Sequence, residues 1–358
     1  MNIGNIIEKT FTNQAIIDSI VSTVSIILLG FFLRKKNIFT EKFGKMLSKV
    51  VLTVAIPALA FNSFMQPINN QTFKQGLNVL IWGIIIYIIL IFVSPIPYSK
   101  YKKDKKDVLS ILTTFGSTTF FGIPIVGAIY GAKGIMYSSI FNIGYRIFLY
   151  SYAYIKMSGL KMKLENIKKM FLNPVVIATI GGFILWICQK YVPSVTVHQA
   201  VKGVVAANAP IIHVAFYRID QTALWLYKPL EYLANLASPL AWLSIGTTLG
   251  SISFKNAATD KLSWYYSFNK VVLVPVLNII LLLILTITHI LPVSYVALAT
   301  IVIMMATPTA TVAAAYAISF DREALFTSNA SFISTFCAVV AAPIWIIILN
   351  MISQLHIF

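Results

Sequence analysis

Long apolar runs separated by short polar segments fill this chain, and ten of the runs reach the length that a membrane crossing requires. A helix needs about 20 apolar residues to cross a bilayer. The predicted spans are 16–33, 47–65, 77–95, 108–130, 135–155, 171–189, 230–252, 268–291, 295–319 and 325–352. The runs are continuous and lack the alternation of a membrane β-barrel. The pattern therefore predicts an all-α polytopic membrane protein.

Two of these spans contain helix-breaking residues. The stretch 113–131 reads TTFGSTTFFGIPIVGAIYG and includes Pro124; about 184 residues later, 303–319 reads IMMATPTATVAAAYAIS and includes Pro308. Proline removes a backbone donor and clashes with the preceding turn, so both spans are expected to be broken helices. Broken helices persist at membrane depth only where protein or a watery cavity satisfies the freed backbone groups. A matched pair in two halves of a chain indicates the binding site of a secondary transporter.

The spacing of prolines suggests that the two halves repeat one another. Pro57 in span 2 precedes Pro124 by 67 residues, and Pro239 in span 7 precedes Pro308 by 69. Because each half has five spans, an odd number, the halves would be inserted upside down to one another. Prolines are common in membrane helices, so chance alignment is the alternative.

The predicted organisation is accordingly two five-helix repeats with substrate at their interface near the midplane. These parts are a first repeat at 1–155, a cytoplasmic loop at 156–170, and a second repeat at 171–358 with an extracellular insert at 190–229. Within the insert, 213–228 is aromatic and weakly charged. We interpret it as an interfacial amphipathic helix, with an ordered loop as the alternative.

Composition and charge fix the class of protein and its orientation. Hydrophobic residues make up 58% of the 358 residues and charged residues 11%, with a mean hydropathy of +0.82, which excludes a soluble domain. The net charge of +17 does not indicate nucleic acid, because 19 of the 28 Lys and Arg residues lie in or at the edge of loops after odd-numbered spans and 7 lie on the opposite side. The positive-inside rule then predicts a cell-membrane protein with both termini extracellular. The two cysteines lie in apolar runs and the four histidines lack metal-ligand spacing, so we expect neither a disulfide framework nor a metal site.

Five motifs, in order, resemble the auxin efflux carrier family, which includes bacterial malate permeases. They are GFFLRKKNIF followed by LSKVVLTVAIPALAF, then GIPIVGAIYG, NLASPLAWLSIGTTLG, ATPTATVAAAYA and STFCAVVAAPIW. The resemblance covers nearly the whole chain. It implies ten spans in a fold like that of the bile-acid symporters, with broken helices 4 and 9 crossing each other. It also implies transport of organic anions by an elevator-like movement of spans 3–5 and 8–10 against a scaffold of spans 1, 2, 6 and 7.

The chain departs from the family at the first break. Many relatives carry an asparagine just before the Gly-x-Pro of span 4, where this chain has Gly116, Ser117, Thr118 and Thr119. This difference suggests that hydroxyl groups contact the substrate instead.

A carboxylate site is expected where the breaks meet. The N-terminal end of a half-helix presents free N–H groups and the positive end of a dipole, and nearby threonines add hydroxyl donors. The predicted substrate-binding residues are Thr118, Thr119, Gly122, Pro124, Asn142, Arg146, Thr307, Pro308, Thr309, Thr311, Asn329 and Ser331. For any one threonine, a bond back to its own helix is the alternative.

Span 5 supplies the sharpest candidate. Ser138, Asn142 and Arg146 follow one another at intervals of four residues and form one polar stripe. An arginine within a span should face protein or water, and its planar fork suits a carboxylate. A structural tether is the alternative. Asp18 and Lys270, near span ends, are candidates for ion coupling, although boundary residues usually reach water.

These features predict a secondary transporter of small organic anions, malate or a similar carboxylate, embedded in the lipid bilayer. The spans lack paired carboxylates or a Ser/His pair, so we do not expect an enzyme. No nucleotide-binding loop or cofactor motif is present, and coupling to protons or sodium is left open. Two alternatives stay open: a sodium-coupled symporter of the bile-acid type and a non-transporting carboxylate sensor. A homodimer through the scaffold spans is left open as well.

Overall fold

The computed structural model describes residues 14–159, 171–201, 203–251 and 259–354, and over these residues it is mostly helical. The α-helices are α1 Gln14–Lys35, α2 Glu41–Val50, α3 Ile56–Ser63, α4 Asn70–Val93, α5 Lys103–Thr114, α6 Ile123–Phe148, α7 Tyr154–Ser158, α8 Pro174–Cys188, α9 Ile219–Thr222, α10 Leu224–Asn235, α11 Ala237–Ser251, α12 Lys261–Phe268, α13 Val274–Ile287, α14 Tyr295–Met305, α15 Thr311–Ser319 and α16 Ala324–Ser353. Most of the predicted loop 156–170 and the last residue of predicted span 7 lie outside the described residues.

Six helical stretches within the described residues are long and apolar enough to cross a membrane. They are Lys42–Ser63, Asn70–Tyr98, Thr118–Ser158, Pro174–Tyr191, Lys261–Ile287 and Ala324–Ser353. Predicted spans 4 and 9 are each interrupted: the first part of span 4 is the 12-residue α5 and its second part lies in Thr118–Ser158, whereas span 9 is divided into α14 with 11 residues and α15 with 9. Each of these short helices covers about half of the roughly 20 residues that a crossing needs.

Three helices pass through a π-helical turn just before a proline. The turns are Val51–Ala55, Thr118–Gly122 and Asn269–Leu273, and the prolines Pro57, Pro124 and Pro275 each follow as the second residue of the next α-helix. A proline ring clashes with the carbonyl four residues earlier, which in each case lies inside the π turn. The wider turn therefore accommodates the proline without ending the helix.

Helix α6 is kinked at a glycine. Helix α6 runs from Ile123 to Phe148 but has a non-helical residue inside it, Gly131, with φ 58° and ψ −150°. Positive φ strongly favours glycine, which has no Cβ. This kink lies where predicted spans 4 and 5 were expected to join.

Helices α1 and α11 pack with almost no space between their backbones. A Cβ built on Gly246 would lie 2.8 Å from the backbone nitrogen of Phe31, and one on Gly250 would lie 2.8 Å from the Cβ of Arg34. The Arg34 Nε also donates a hydrogen bond to the Ser251 hydroxyl, at 2.9 Å. Small residues permit this close approach of two membrane helices.

A second close contact joins α4 to α6. A Cβ on Gly144 would lie 2.6 Å from the carbonyl carbon of Gly83 and 2.9 Å from the nitrogen of Ile84. Around it, the ring of Tyr87 stacks on Phe115 with their centroids 5.6 Å apart. This packing places the end of α5 against α4 and α6.

The predicted interfacial helix in the insert is wrong. Residues Ser194–His198 (β1) and Ile211–Ala215 (β4) pair as an antiparallel hairpin, which encloses a smaller pair, Ala200–Val201 (β2) with Val204–Val205 (β3). The segment 213–228 is shared among β4, α9 and the start of α10. Three consecutive β-branched residues, Val195 to Val197, favour a strand over a helix, and the pairing of this strand with Ile211–Ala215 outweighs the amphipathic pattern of the segment 213–228.

Ion pairs join three segments at one end of the molecule. Arg322, in the turn before α16, pairs with Asp104 at the start of α5, and its Nη1 donates to the carbonyl of Lys156 at 2.6 Å. Lys156 pairs with Asp107 at 3.1 Å, and Lys105 with Glu323 at 3.4 Å. The turn 321–323 therefore ties α5 and α7 to α16, rather than only capping helices.

Candidate functional site

The breaks in spans 4 and 9 are hydrogen-bonded to each other. The chain leaves helical geometry at Phe115 and at Ala306, and the two extended segments form an antiparallel bridge between Gly116 and Thr309. The backbone nitrogen of Ser117 donates to the carbonyl of Pro308 at 2.7 Å, and that of Ala310 donates to the carbonyl of Phe115 at 3.1 Å. Each break thus satisfies backbone groups that the other leaves unpaired. We call this paired segment the crossover.

The position of the first break differs from the prediction. Pro308 lies within the break of span 9, as predicted, whereas the break of span 4 is at Phe115–Ser117, upstream of Pro124. The π turn Thr118–Gly122 accommodates Pro124, so the helix continues through it. The carbonyl of Pro124 instead accepts a hydrogen bond from the Ser238 hydroxyl at 3.1 Å.

Two adjoining cavities lie against one side of the crossover, which we call the cavity face. The first has a volume of about 120 Å³ and is lined by Leu52, Ser117, Thr119, Phe120, Tyr145, Arg146, Leu149, Tyr150, Asn173, Val175, Thr311 and Val312. The second has a volume of about 310 Å³ and is lined by Lys45, Ser48, Leu52, Ser117, Phe120, Phe121, Ile245, Thr248, Pro308, Thr309, Thr311 and Thr335. Ser117 and Thr311 line both. The larger cavity is at the lower end of the range for ligand pockets, about 300–1,000 Å³.

Arg146 is the charged group of the smaller cavity. Its side chain is 6% exposed, and its Nη2 has no hydrogen-bond partner among the described residues. Tyr145 and Tyr150 flank it in the cavity wall. A guanidinium buried without a full set of acceptors is costly, so this geometry favours an anion as its partner.

Two helix N-termini face the same cavity. Thr119 and Phe120 belong to the first turn after the break in span 4, and Thr311 and Val312 begin α15 after the break in span 9. The first N–H groups of a helix lack partners within the helix, and the dipole there favours negative charge. The cavity therefore combines backbone donors, hydroxyls and one guanidinium.

Several predicted residues near the crossover form hydrogen bonds with other groups of the protein. Asn142 is fully buried, and its Nδ2 donates to the Thr119 hydroxyl at 3.4 Å. The Thr309 hydroxyl bonds to the Tyr266 hydroxyl at 2.7 Å and to the Ser334 hydroxyl at 2.9 Å. Thr307 donates to the carbonyl of Met304 at 2.8 Å, the bond within its own helix that was considered as the alternative.

Other predicted residues lie away from these two cavities. Gly122 is buried, and a Cβ there would lie 2.6 Å from the Met304 sulfur, so its open side faces α14 instead of a ligand. Thr118 is 1% exposed and lines neither cavity. Asn329 and Ser331 lie half-buried on α16, and neither lines these two cavities.

The structure adds residues that the sequence did not single out. Thr335 lines the larger cavity and lies one turn beyond Ser331 on α16. Because residues four apart share a helix face, the sequence could have identified Thr335 from its spacing to the predicted Ser331. Ser48 and Ser244 bond across α2 and α11 at 2.6 Å, with Ser48 in the cavity wall. Nothing in the sequence links two positions 196 residues apart. Asn173 caps α8 through its side chain, as its position before Pro174 suggests, and also lines the smaller cavity.

Lys270 is not at a span end. It lies in the π turn between α12 and α13, is fully buried, and its Nζ has no hydrogen-bond partner among the described residues. A Cβ built on Gly116 would lie 2.8 Å from this Nζ. The expectation that Lys270 reaches water is therefore wrong, and its amine lies against the crossover.

Comparison with known proteins gives the chain its family. An uncharacterized transporter of Methanothermobacter thermautotrophicus is 22% identical over 341 residues, which covers 93% of this chain and 98% of the relative. An uncharacterized transporter of Methanocaldococcus jannaschii is 23% identical over 248 residues, 66% of this chain and 70% of the relative. The profile of the membrane transport protein family matches residues 15–346. The chain is therefore a polytopic membrane transporter, not an enzyme, and belongs to the membrane transport protein family, the auxin efflux carrier family that its motifs resemble.

Proposed function

We propose that this protein is a secondary active transporter of small organic anions, such as malate or a similar carboxylate. The observation that carries the proposal is Arg146, which is buried with an unpartnered Nη2 in the wall of a cavity at the crossover. Arginine binds a carboxylate through two parallel hydrogen bonds, and such charge-assisted bonds are stronger than neutral ones. A dicarboxylate would place one acid group on Arg146 and the other near the helix N-termini.

The hydroxyls around the cavity suit the same ligand. Ser117 and Thr311 line both cavities, and Thr119 lines the smaller one. Hydroxyls donate to carboxylate oxygens without adding charge, so the site would bind an anion tightly enough to select it and weakly enough to release it. The small volume of the cavities favours small acids over large amphipathic ones.

The proposed architecture is ten spans in two inverted repeats, 1–155 and 171–358. The antiparallel pairing of the two breaks supports it, because such pairing is expected when two copies of one element meet about a twofold axis in the membrane plane. The short helices on either side of each break would then together complete one crossing. The positive-inside rule gives both termini an extracellular location in the cell membrane.

The proposed movement is of the elevator type. The tight α1–α11 contact belongs to the scaffold, and the α4–α6 contact and the Arg322 ion pairs belong to the mobile unit. The cavities have walls from both units: Leu52 and Ile245 from the scaffold, and Ser117 and Thr311 from the crossover. Movement of one unit against the other would open the cavity to alternate sides.

Uptake of radiolabelled malate into proteoliposomes tests this function. We expect uptake by the wild type and a roughly 100-fold lower kcat/KM for Arg146→Ala, since removing one partner of a buried charge pair costs about 2–5 kcal/mol. Arg146→Lys keeps the charge but not the fork, so its loss should be smaller, on the order of 10-fold.

The matched control is Lys36→Ala, which removes an exposed cation beyond the end of α1 and should leave uptake unchanged. Equal uptake by Arg146→Ala and the wild type would show that the site is wrong. Malate binding without flux in a folded sample would favour the sensor, and uptake that requires sodium would favour the bile-acid-type symporter.

A further inference from the structure

A buried lysine with no ionic partner in the described part of the chain lies behind the crossover, on the side away from the two cavities, which we call the buried face. Lys270 is 0% exposed, and no hydrogen-bond partner for its Nζ lies among the described residues. An intramembrane ionisable residue is costly to keep and commonly functional. The transport site built on Arg146 does not use this group.

The position of Lys270 links it to the transport site through one residue. A Cβ on Gly116 would lie 2.8 Å from the Lys270 Nζ and 3.0 Å from its Cε, so the amine lies directly against the backbone of the break. The next residue, Ser117, lines both cavities. The amine and an anion in the cavity would therefore face each other across the extended chain of the crossover.

Among the residues that the structure describes, the groups that pack around this turn carry no negative charge that would balance an ammonium. The titratable groups there are Tyr266 on α12, Tyr98, whose hydroxyl accepts from Asn269 at 3.1 Å, and Cys337 on α16. The acids of α5, Asp104 and Asp107, are paired with Arg322 and Lys156. No aspartate or glutamate occurs in the stretches 108–164, 261–320 and 324–358.

We infer that Lys270 binds the proton that accompanies the anionic substrate, so that the protein is a proton–anion symporter; this inference rests on the proposed function. As the anion enters from one side of the membrane, the amine takes up one proton and becomes an ammonium. The bound carboxylate stabilises that charge across the crossover, and the ammonium stabilises the carboxylate in turn, so proton and anion bind cooperatively. Release of the anion on the other side returns the proton to water.

The same geometry argues against sodium as the coupling ion. Sodium would need oxygen ligands that include a carboxylate or several carbonyls, and the Lys270 amine already supplies a cation at the crossover. Proton coupling needs only the amine that is present. A permanently charged side chain at position 270 could not release its proton and would hold the carrier in one state.

Gradient-driven uptake separates this inference from the proposed function. With the membrane voltage clamped, an inwardly directed proton gradient should accelerate malate uptake by the wild type about 10-fold. Lys270→Gln should lose that response while malate–malate exchange continues, and Lys270→Arg should lose net uptake because it does not release its proton. The matched control is Lys133→Gln, an exposed lysine beside the Gly131 kink, which should respond as the wild type does.

Proton uptake on binding provides a second measurement that needs no variant. Purified wild type in weakly buffered detergent with a pH indicator should take up about one proton for each malate bound. Malate binding without proton uptake by the wild type would overturn the inference, as would an unchanged gradient response in folded Lys270→Gln. If folded wild type neither binds nor transports malate, the proposed function fails, and this inference fails with it.

Discussion

On the cavity face of the crossover, Arg146 lies beside open space, whereas on the buried face Lys270 lies in close-packed protein. Both cations are buried and both have a nitrogen without a hydrogen-bond partner among the described residues. Around Arg146 the hydroxyls of Ser117 and Thr311 line cavities; near Lys270 the hydroxyl of Thr307 bonds to its own helix. Under the proposed function, the cavity face would receive the ligand and the buried face would hold a charge that responds to it.

The same contrast explains why an extended backbone separates the two cations. In a continuous helix the backbone donors and acceptors would bond along the chain and present nothing to either side. At the crossover, Ser117 and Ala310 bond to the opposite break instead, so both cations approach a thin layer of backbone. Electrostatic coupling through such a layer is strong because little water is present to screen it.

Among substitutions of the glycines and hydroxyl residues around the crossover, filling the buried face should have the largest effect. In Gly116→Ala the new Cβ would lie 2.8 Å from the Lys270 Nζ and also clash with the Thr307 hydroxyl. Overpacking of this kind costs about 1–3 kcal/mol in the free energy of unfolding, and we expect malate uptake to fall more than 10-fold. Thermal unfolding in detergent and proteoliposome uptake provide the two measurements.

The control for that substitution is Gly181→Ala in α8, where a Cβ would meet nothing within 4 Å. It should leave uptake unchanged and stabilise the helix slightly, by up to about 1 kcal/mol. Equal behaviour of the two variants would show that the space between Gly116 and Lys270 is not closed.

Removing single hydroxyl groups should weaken malate binding on the cavity face of the crossover but not on its buried face. Ser117→Ala and Thr311→Val remove groups that line both cavities, so each should weaken malate binding several-fold, as expected for about 1 kcal/mol per hydrogen bond. Thr307→Val removes a hydroxyl that serves its own helix and should leave the malate Kd unchanged. Calorimetric titration of the three variants measures these values. A larger loss in Thr307→Val than in Ser117→Ala would contradict the assignment of the faces.

The smallest effect is expected at Gly122. A Cβ there would meet the Met304 sulfur at 2.6 Å and the Thr307 Cγ2 at 3.2 Å, and a methionine side chain adapts readily. Gly122→Ala should therefore lower stability by about 1 kcal/mol with no change in the malate Kd. A large rise in the malate Kd would instead support the prediction from the sequence that the ligand approaches the backbone at Gly122.

The two breaks also show how far sequence patterns predict this structure. Pro308 marked its break correctly, because it lies within the extended segment. Pro124 did not, because a π turn accommodates a proline and the chain instead opens at Phe115–Ser117, where glycine and serine stand in place of a proline. The hydropathy pattern located both ends of predicted spans 1, 6 and 10 to within about three residues, whereas α2, α4 and α12 begin about six or seven residues before predicted spans 2, 3 and 8. The position of a break depends on tertiary pairing with a partner about 190 residues away.

The candidate site was predicted only in part, because local sequence identifies some of its residues and tertiary structure determines the others. Arg146 was identified from the cost of an arginine within a span, which depends on the local sequence alone. Lys270 was placed near a span end because predicted span 8 began at 268, whereas the helix starts a full two turns earlier, at Lys261. The β-hairpins of the insert and the Ser48–Ser244 contact were missed because both depend on pairing between distant segments.

The π turn at Asn269–Leu273 has a consequence for the length of the chain. Its closing bond runs from the nitrogen of Val274 to the carbonyl of Asn269, five residues back, so the turn holds one residue more than an α-helical turn would. Deleting that extra residue would convert it to an α turn and leave α13 with nearly the same rotation relative to α12, whereas deleting one residue from within α12 or α13 would rotate the following residues by roughly 100°. Length changes are usually harmless when they fall in loops; in this transporter the π turn is a place within a membrane helix where the loss of one residue would change the helix least.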